Sequence, residues 1–298
     1  MSDHPQDLLK QADQKAKPPS GFLRLFSSST SAYKYEEASD LCVQAANIYR
    51  LRKETKLAGD AFVKAASFQI KAGNEDEASN MYVDAYKCYR SSSGSDNSSG
   101  SAADALVCAI DLFTKRGQFR RAANFKFELG ELYEVDLNDY KSAIEAFEVA
   151  GEWYSQDQAV ALANKCWLRC ADLKALDGSY IDAANVYSKL IRNSLGNRLS
   201  QWSLKDYYLK RGLCQLAGGD SVAALRTLQE GQQEDPNFAD SRECTLLQTL
   251  IECVNENDPE KLSQTVFEFD KFSKLDKWKT SILLKIKENI TEAEDDLL

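Results

Sequence analysis

The feature that most constrains the fold is a spacing that recurs along the chain. In three places a glycine is followed five residues later by alanine, and four residues after that by tyrosine or leucine: Gly73–Ala78–Tyr82, Gly178–Ala183–Tyr187 and Gly219–Ala224–Leu228. Asn138–Ala143–Phe147 repeats the spacing with asparagine in place of glycine, and the stretch after Gly117 fits it only loosely. Ala143 and Ala183 are 40 residues apart, and Ala183 and Ala224 are 41 residues apart. This spacing predicts stacked helix–turn–helix units, because a small alanine lets two helices approach closely while the larger side chain fills the gap beside it.

The chain therefore belongs to the all-α class. We expect a tetratricopeptide-like right-handed solenoid, a twisted sheet of antiparallel helical hairpins whose period is longer than the usual repeat of about 34 residues. Residues 33–53 show apolar side chains on one helical face, and only 14 glycines and 5 prolines are present in 298 residues. The serine- and glycine-rich stretch 91–101 interrupts the array and predicts a flexible linker.

The C-terminal region differs from the repeats in pattern and in charge. After Asp235 the spacing fades, and helices are expected over 239–256, 259–273 and 276–292, forming a small bundle that caps the solenoid. Residues 230–298 carry 17 Asp and Glu but only 8 Lys and Arg, which accounts for the whole net charge of −9. Nucleic-acid binders carry the opposite sign, so the charge favours a basic protein partner, with solubility alone as the alternative.

An apolar segment near the N-terminus lies between turn-forming residues. It contains Phe22, Leu23, Leu25 and Phe26, with Pro18, Pro19 and Gly21 before it and a serine run from Ser27 after it. From the residues alone, two interpretations stay open: a cap on the first hairpin, or an exposed contact. The predicted division is accordingly residues 1–32 (helix and apolar loop), 33–235 (hairpin sheet) and 236–298 (acidic bundle and tail).

Residues for catalysis or for cofactors are scarce. His4 is the only histidine, no phosphate-binding glycine loop is found, and the eight cysteines are scattered among apolar neighbours. A metal or redox role for Cys166 and Cys170, spaced i, i+4, is therefore much less favoured than core packing. No apolar run reaches 18 residues and no signal peptide is recognised. We expect an intracellular protein that is not an enzyme and needs no cofactor.

Two basic groups interrupt the otherwise balanced hairpin region. The first consists of five cations, Lys115, Arg116, Arg120, Arg121 and Lys126. The second is Lys165 and Arg169, whose i, i+4 spacing puts both on one helical face. They are either solvated charges with weak local pairs or a basic surface for an acidic helical partner, where charge would speed encounter and fix register.

Longer stretches resemble one family. They are P-S-G-F-L-R-L-F (19–26), G-Q-F-R-R-A-A-N-F-K-F-E-L-G-E-L-Y-E (117–134), A-G-E-W-Y-S-Q-D-Q (150–158), S-L-K-D-Y-Y-L-K (203–210), D-P-N-F-A-D-S-R-E (235–243), L-D-K-W-K (275–279) and the terminal E-D-D-L-L. In order and over nearly the whole chain, they resemble the soluble NSF attachment protein (alpha-SNAP) family. Their sequences are most similar to those of its yeast and fungal members. The 91–101 stretch is longer than the family's usual connection.

The resemblance implies an adaptor for membrane fusion and vesicle transport. Family members bind the SNARE four-helix bundle (syntaxin, synaptobrevin and SNAP-25-type helices), several copies to one bundle, on the concave face of the sheet. They recruit the hexameric ATPase NSF, which uses ATP to disassemble the bundle. The protein would then be cytoplasmic and held at membranes through SNAREs. The alternative that periodicity alone leaves open is a generic tetratricopeptide-like scaffold for a peptide.

Site residues follow from the same resemblance. Lys165 and Arg169 match a pair of SNARE contacts, while a further family lysine falls near Asn124, where Arg121 or Lys126 would take its place. The loop with Phe22, Leu23, Leu25 and Phe26 would insert into the bilayer. The acidic bundle would meet a basic surface of NSF, and the last residues would stimulate its ATPase: Glu294, Asp295, Asp296, Leu297 and Leu298.

Overall fold

The structure, a computed structural model, describes residues 4–17, 28–91, 98–197 and 200–295. Within these ranges the regular secondary structure is helical and no strand is present. The α-helices are α1 Pro5–Lys15, α2 Ser28–Leu51, α3 Thr55–Ala72, α4 Glu75–Arg90, α5 Ser98–Lys115, α6 Phe119–Val135, α7 Tyr140–Gln156, α8 Val160–Leu176, α9 Tyr180–Ser194, α10 Leu204–Ala217, α11 Ser221–Glu234, α12 Pro236–Ala239, α13 Arg242–Glu256, α14 Pro259–Phe272 and α15 Lys277–Asp295. The predicted all-α class with tetratricopeptide-like hairpins is confirmed.

Seven of the described turns between helices share one backbone motif. In each, one residue takes the left-handed conformation, and the amide of the next residue donates a hydrogen bond to the carbonyl five positions back, as Asn74 does to Gln69 at 2.9 Å. This Schellman arrangement satisfies carbonyls that the helix end leaves unpaired. The left-handed residues are Lys53, Gly73, Gly117, Gln158, Gly178, Gly219 and Asn257.

The predicted spacing follows these turns closely. Five residues after the left-handed position, six of the seven helices have a buried alanine: Ala58, Ala78, Ala122, Ala163, Ala183 and Ala224. Four residues further lie the side chains that fill the space between helices, such as Phe62, Trp167 and Tyr187. The same rule therefore governs turns at Lys53 and Gln158, where no glycine marks it in the sequence.

The chain divides into two compact units, Met1–Trp153 and Tyr154–Leu298. In the first unit each helix from α1 to α6 packs on the next, and a core of alanines and aromatic side chains runs between them. In the second, α8 to α11 pack in order, α13 and α14 follow, and α15 returns to contact α10 and α8. The predicted functional boundary at 235/236 falls inside the second unit, and that division stays a prediction.

Two serine-rich stretches are more helical than expected. The sequence predicts a loop for the serine run from Ser27, yet α2 already begins at Ser28. Likewise α5 begins at Ser98, inside the stretch 91–101 for which the sequence predicts a linker. Serine has only a modest penalty within a helix, and burial of Ala102 and Leu106 favours extending α5 to the buried Ser98. Within 91–101, residues 92–97 lie outside the described ranges.

The left-handed Lys53 gives a test of the turn motif. A side chain other than glycine in this conformation costs about 1–2 kcal/mol, so Lys53→Gly is expected to raise the free energy of unfolding by roughly 0.5–1 kcal/mol after the entropy of the unfolded glycine is counted. Urea denaturation of the full chain measures it. The control is Lys56→Gly, inside α3, which should lower stability by a similar amount. Equal losses in both variants would contradict the motif.

Candidate binding surface

Lys165 and Arg169 lie on α8 of the second unit, and the inward side of the helix fixes where they point. Cys166 and Cys170 are fully buried beside Trp167, which holds that side against the core. Lys165 is exposed and Arg169 is half-buried. The sequence prediction that both cations share one face of a helix is confirmed. We call Lys165 and Arg169 the basic pair.

Burial also decides the role of the two cysteines on α8. It raises the pKa of the Cys166 thiol to about 12, so this thiol is protonated at neutral pH and is a poor metal ligand or nucleophile. No group of three or more potential metal-ligating side chains is found among the residues that the structure describes. The expected role of Cys166 and Cys170 in packing agrees with their complete burial.

Sequence reasoning missed a second surface on the same unit. Trp202 is 79% exposed on a short 3₁₀ turn (Gln201–Ser203) just before α10. It borders a cavity of about 430 Å³ that Lys205, Arg242 and Glu243 also line. The Lys205 Nζ lies 3.3 Å from Glu243 Oε1. We call Trp202, Lys205 and Arg242 the tryptophan surface. An exposed tryptophan among cations is typical of a protein-binding surface. Lys205 belongs to the motif 203–210 and Arg242 to the motif 235–243, and the sequence analysis assigned no role to either motif.

Arg121 and Lys126 both lie on α6 of the first unit, and each has contacts within the chain. The Arg121 Nη2 donates a hydrogen bond to Asn80 Oδ1 at 2.7 Å, and its guanidinium lies 4.3 Å from the centroid of the Phe113 ring. Asn124 lies seven residues after the left-handed Gly117, as Lys165 lies seven after Gln158. Lys165 and Asn124 are thus at equivalent positions of the repeat.

Lys126 takes the place that an aromatic side chain occupies in other hairpins. It is nine residues after Gly117, as Phe62 is after Lys53 and Trp167 after Gln158. Lys126 is half-buried, and burial lowers the pKa of its ammonium although Asp111 and Glu145 partly offset this effect. Because a partly buried ammonium loses hydration, we expect the charge of Lys126 to lower the stability of the hairpin packing, which favours a role beyond packing.

Several predicted contacts lie outside the residues that the structure describes. These are Phe22, Leu23, Leu25 and Phe26 of the apolar loop, and Asp296, Leu297 and Leu298 at the C-terminus. The backbone of Glu294 and Asp295 belongs to the last turn of α15. Among the described residues, none of the helices combines the length and the apolar character that crossing a membrane requires.

The repeated hairpins define a helical-repeat protein, with cationic and aromatic side chains exposed on it. Residues 3–291 match the family described as soluble NSF attachment protein, SNAP. The chain belongs to this family. It is 66% identical over the full length of both chains to the alpha-soluble NSF attachment protein of Saccharomyces cerevisiae, and 48% identical, again over both full lengths, to the probable vesicular-fusion protein sec17 homolog of Schizosaccharomyces pombe.

One solved structure has a similar helical arrangement at low identity. It is the signal-transduction ATPase with a tetratricopeptide repeat sensor from Pyrococcus horikoshii, with a TM-score of 0.48 and 12% identity. The match covers 96% of this chain and 44% of that one.

The buried charge of Lys126 gives a second test. Lys126→Met keeps the length of the side chain and removes the partly buried ammonium, while the nearby Asp111 and Glu145 are exposed and stay hydrated. We expect the free energy of unfolding to rise by about 1 kcal/mol, measured by urea denaturation. The exposed Lys115→Met is the control and should change stability by less than about 0.5 kcal/mol. A less stable Lys126→Met variant would show that the charge is well paired.

Proposed function

We propose that this chain is an adaptor for SNARE disassembly: it binds the assembled four-helix SNARE bundle and recruits NSF, which hydrolyses the ATP. The observation that carries the proposal is the whole-length match to the soluble NSF attachment protein family. It is supported by the basic pair, with Lys165 exposed and Arg169 half-buried, at the positions where the family resemblance implied SNARE contacts. The chain contributes binding and orientation but no reaction of its own. Several copies act on one bundle, in the cytoplasm and at the membrane surface.

The SNARE-binding role falls on the two surfaces of the second unit. The basic pair meets acidic side chains along the bundle, where long-range attraction speeds encounter and fixes register. The tryptophan surface adds an apolar anchor, since a large aromatic side chain that becomes desolvated contributes more affinity than an exposed ion pair does. On the first unit, Arg121 and Lys126 are proposed as separate SNARE contacts.

The NSF-binding role falls on the C-terminal helices and the tail. Residues 230–298 carry the excess negative charge, and a basic surface on NSF would complement it. α15 extends to Asp295, so Asp296, Leu297 and Leu298 follow directly on a helix that is packed on the second unit. Glu294 to Leu298 are proposed to stimulate the ATPase.

Reversing the charge of the basic pair tests the SNARE contact. Lys165→Glu with Arg169→Glu is expected to weaken binding to a soluble SNARE bundle roughly tenfold or more at low salt, and less at high salt, where the Debye length is about 8 Å or shorter. Fluorescence anisotropy across ionic strengths measures it. The matched control reverses two exposed lysines at another turn, Lys53→Glu with Lys56→Glu. Affinity that is unchanged at every salt concentration would remove the basic pair from the contact.

The apolar loop is proposed as a weak membrane contact. Full burial is worth about 1.5–3 kcal/mol for each large apolar side chain. Half-burial of all four at an interface then gives roughly 3–6 kcal/mol in total. Such a loop resembles a single acyl chain, whose membrane binding is marginal and reversible. It therefore acts once SNARE binding has raised its effective concentration at the bilayer.

Membrane-anchored and soluble SNARE bundles distinguish this role from a structural cap. Phe22→Ser with Leu23→Ser is expected to slow NSF-driven disassembly of SNAREs reconstituted in vesicles several-fold, because only there does the loop add affinity. The soluble bundle serves as the control substrate and should be disassembled at the normal rate. If both substrates slow equally, the loop is a cap on the first hairpin instead.

A further inference from the structure

The L-D-K-W-K segment at 275–279 has no role in the function proposed so far, yet it makes contacts far away in sequence. Trp278, at the start of α15, is only 8% exposed, and its indole Nε1 donates a hydrogen bond to the backbone carbonyl oxygen of Asp172 at 2.9 Å. Asp172 is on α8, 106 residues earlier in the chain. The segment thus joins the C-terminal helix to the helix that carries the basic pair.

Charged groups join the same helices. The Lys210 ammonium, on α10, lies 2.8 Å from Asp172 Oδ1 and 4.8 Å from the Trp278 ring centroid, and Lys210 is only 6% exposed. The Lys279 ammonium, on α15, lies 2.7 Å from Asp206 Oδ1 and 3.2 Å from Asp276 Oδ2. Asp206, one turn before Lys210 on α10, therefore faces both cations.

Asp172 also accepts a hydrogen bond from Tyr187, which is fully buried on α9. The Tyr187 ring meets the Trp278 ring edge to face, with centroids 6.1 Å apart. Four helices of the second unit, α8, α9, α10 and α15, thus converge on one polar cluster. We call Asp172, Tyr187, Asp206, Lys210, Trp278 and Lys279 the Asp172 cluster.

The position of Asp172 on α8 gives this cluster its significance. Lys165, Arg169 and Asp172 are spaced i, i+4 and i+7, so they follow one another along the same side of the helix. A change in the packing of α15 against Asp172 therefore acts on the same side of α8 that carries the basic pair. An apolar contact could slide, but buried ionic and hydrogen-bonded groups tolerate only arrangements that keep their partners.

We propose that the Asp172 cluster couples the two ends of the adaptor: SNARE binding at the basic pair and NSF stimulation by the end of α15 depend on each other through it. The inference rests on the proposed function. Lys279 and Trp278 are positioning residues here, since they act through Asp206 and Asp172. By linkage, the effect of a SNARE bundle on NSF affinity must equal the effect of NSF on SNARE affinity.

Two lysines of the same segment supply a matched pair for the test. Lys279→Met removes a charge that is held in the Asp172 cluster, whereas Lys277→Met removes an exposed charge two residues away. The affinity of full-length chain for a soluble SNARE bundle is measured with and without NSF held by a non-hydrolysable ATP analogue, alongside NSF ATPase stimulation with and without the bundle. The readout is the gain, defined as the factor by which one partner raises the affinity for, or the stimulation of, the other.

We expect the wild-type chain and Lys277→Met to show the same gain, about fivefold or more. Lys279→Met should bind each partner alone with wild-type affinity but lose most of the gain, and Lys279→Arg should keep it. Asp206→Asn combined with Lys279→Met removes the less exposed of the two carboxylates that Lys279 pairs with, Asp206 and Asp276, so it should recover part of the stability but stay uncoupled.

Three results would overturn the coupling. They are a normal gain in Lys279→Met, a parallel loss of each separate affinity, which indicates a structural role alone, and a restored gain in the double variant. Failure of the wild-type chain to bind the SNARE bundle at all would instead count against the proposed function, so the two failures are distinguishable.

Discussion

The close approach of helices at a buried alanine is the contact on which the rest of the structure depends. Each of these alanines comes five residues after a left-handed turn residue, and six of the seven turns that share the motif have one. Because alanine has no side chain beyond Cβ, the helix axes can come together, and the larger side chain one turn later fills the space that remains. Turn and contact are fixed in register, so one spacing determines both where a helix starts and which side it buries.

The same register explains where the residues proposed for binding lie. Lys165 is seven residues after a turn residue, between the buried Ala163 and Trp167, so packing of its neighbours leaves it exposed. Lys126 is nine residues after its turn, in the position that packing normally takes. The proposed binding residues thus occupy positions that hairpin packing does not use, except Lys126, whose position is normally used for packing and whose charge we expect to lower stability.

Local sequence predicts local structure well in this chain, with identifiable exceptions. Glycine marks the turns at Gly73, Gly178 and Gly219, but Lys53 and Gln158 adopt the same conformation against their intrinsic preference, so propensity alone cannot reveal them. The i, i+4 spacing placed the basic pair correctly on one face. The tryptophan surface and the Asp172 cluster could not be foreseen, because each joins segments far apart in sequence and periodicity within one helix contains no information on such contacts.

The charges of the Asp172 cluster make it a permanent contact at neutral pH. Burial lowers the pKa of Lys279, but Asp206 and Asp276 outweigh it, so the net pKa lies above the ordinary lysine value. The stability this contributes is complete below the ordinary pKa and is lost only as pH rises through the raised one. Burial and the charge of Asp172 raise the pKa of Tyr187 well above its usual range, so its hydroxyl keeps donating. Titration of Lys279 or Tyr187 therefore does not break these contacts near neutral pH, and the proposed coupling would depend on differential binding of a partner.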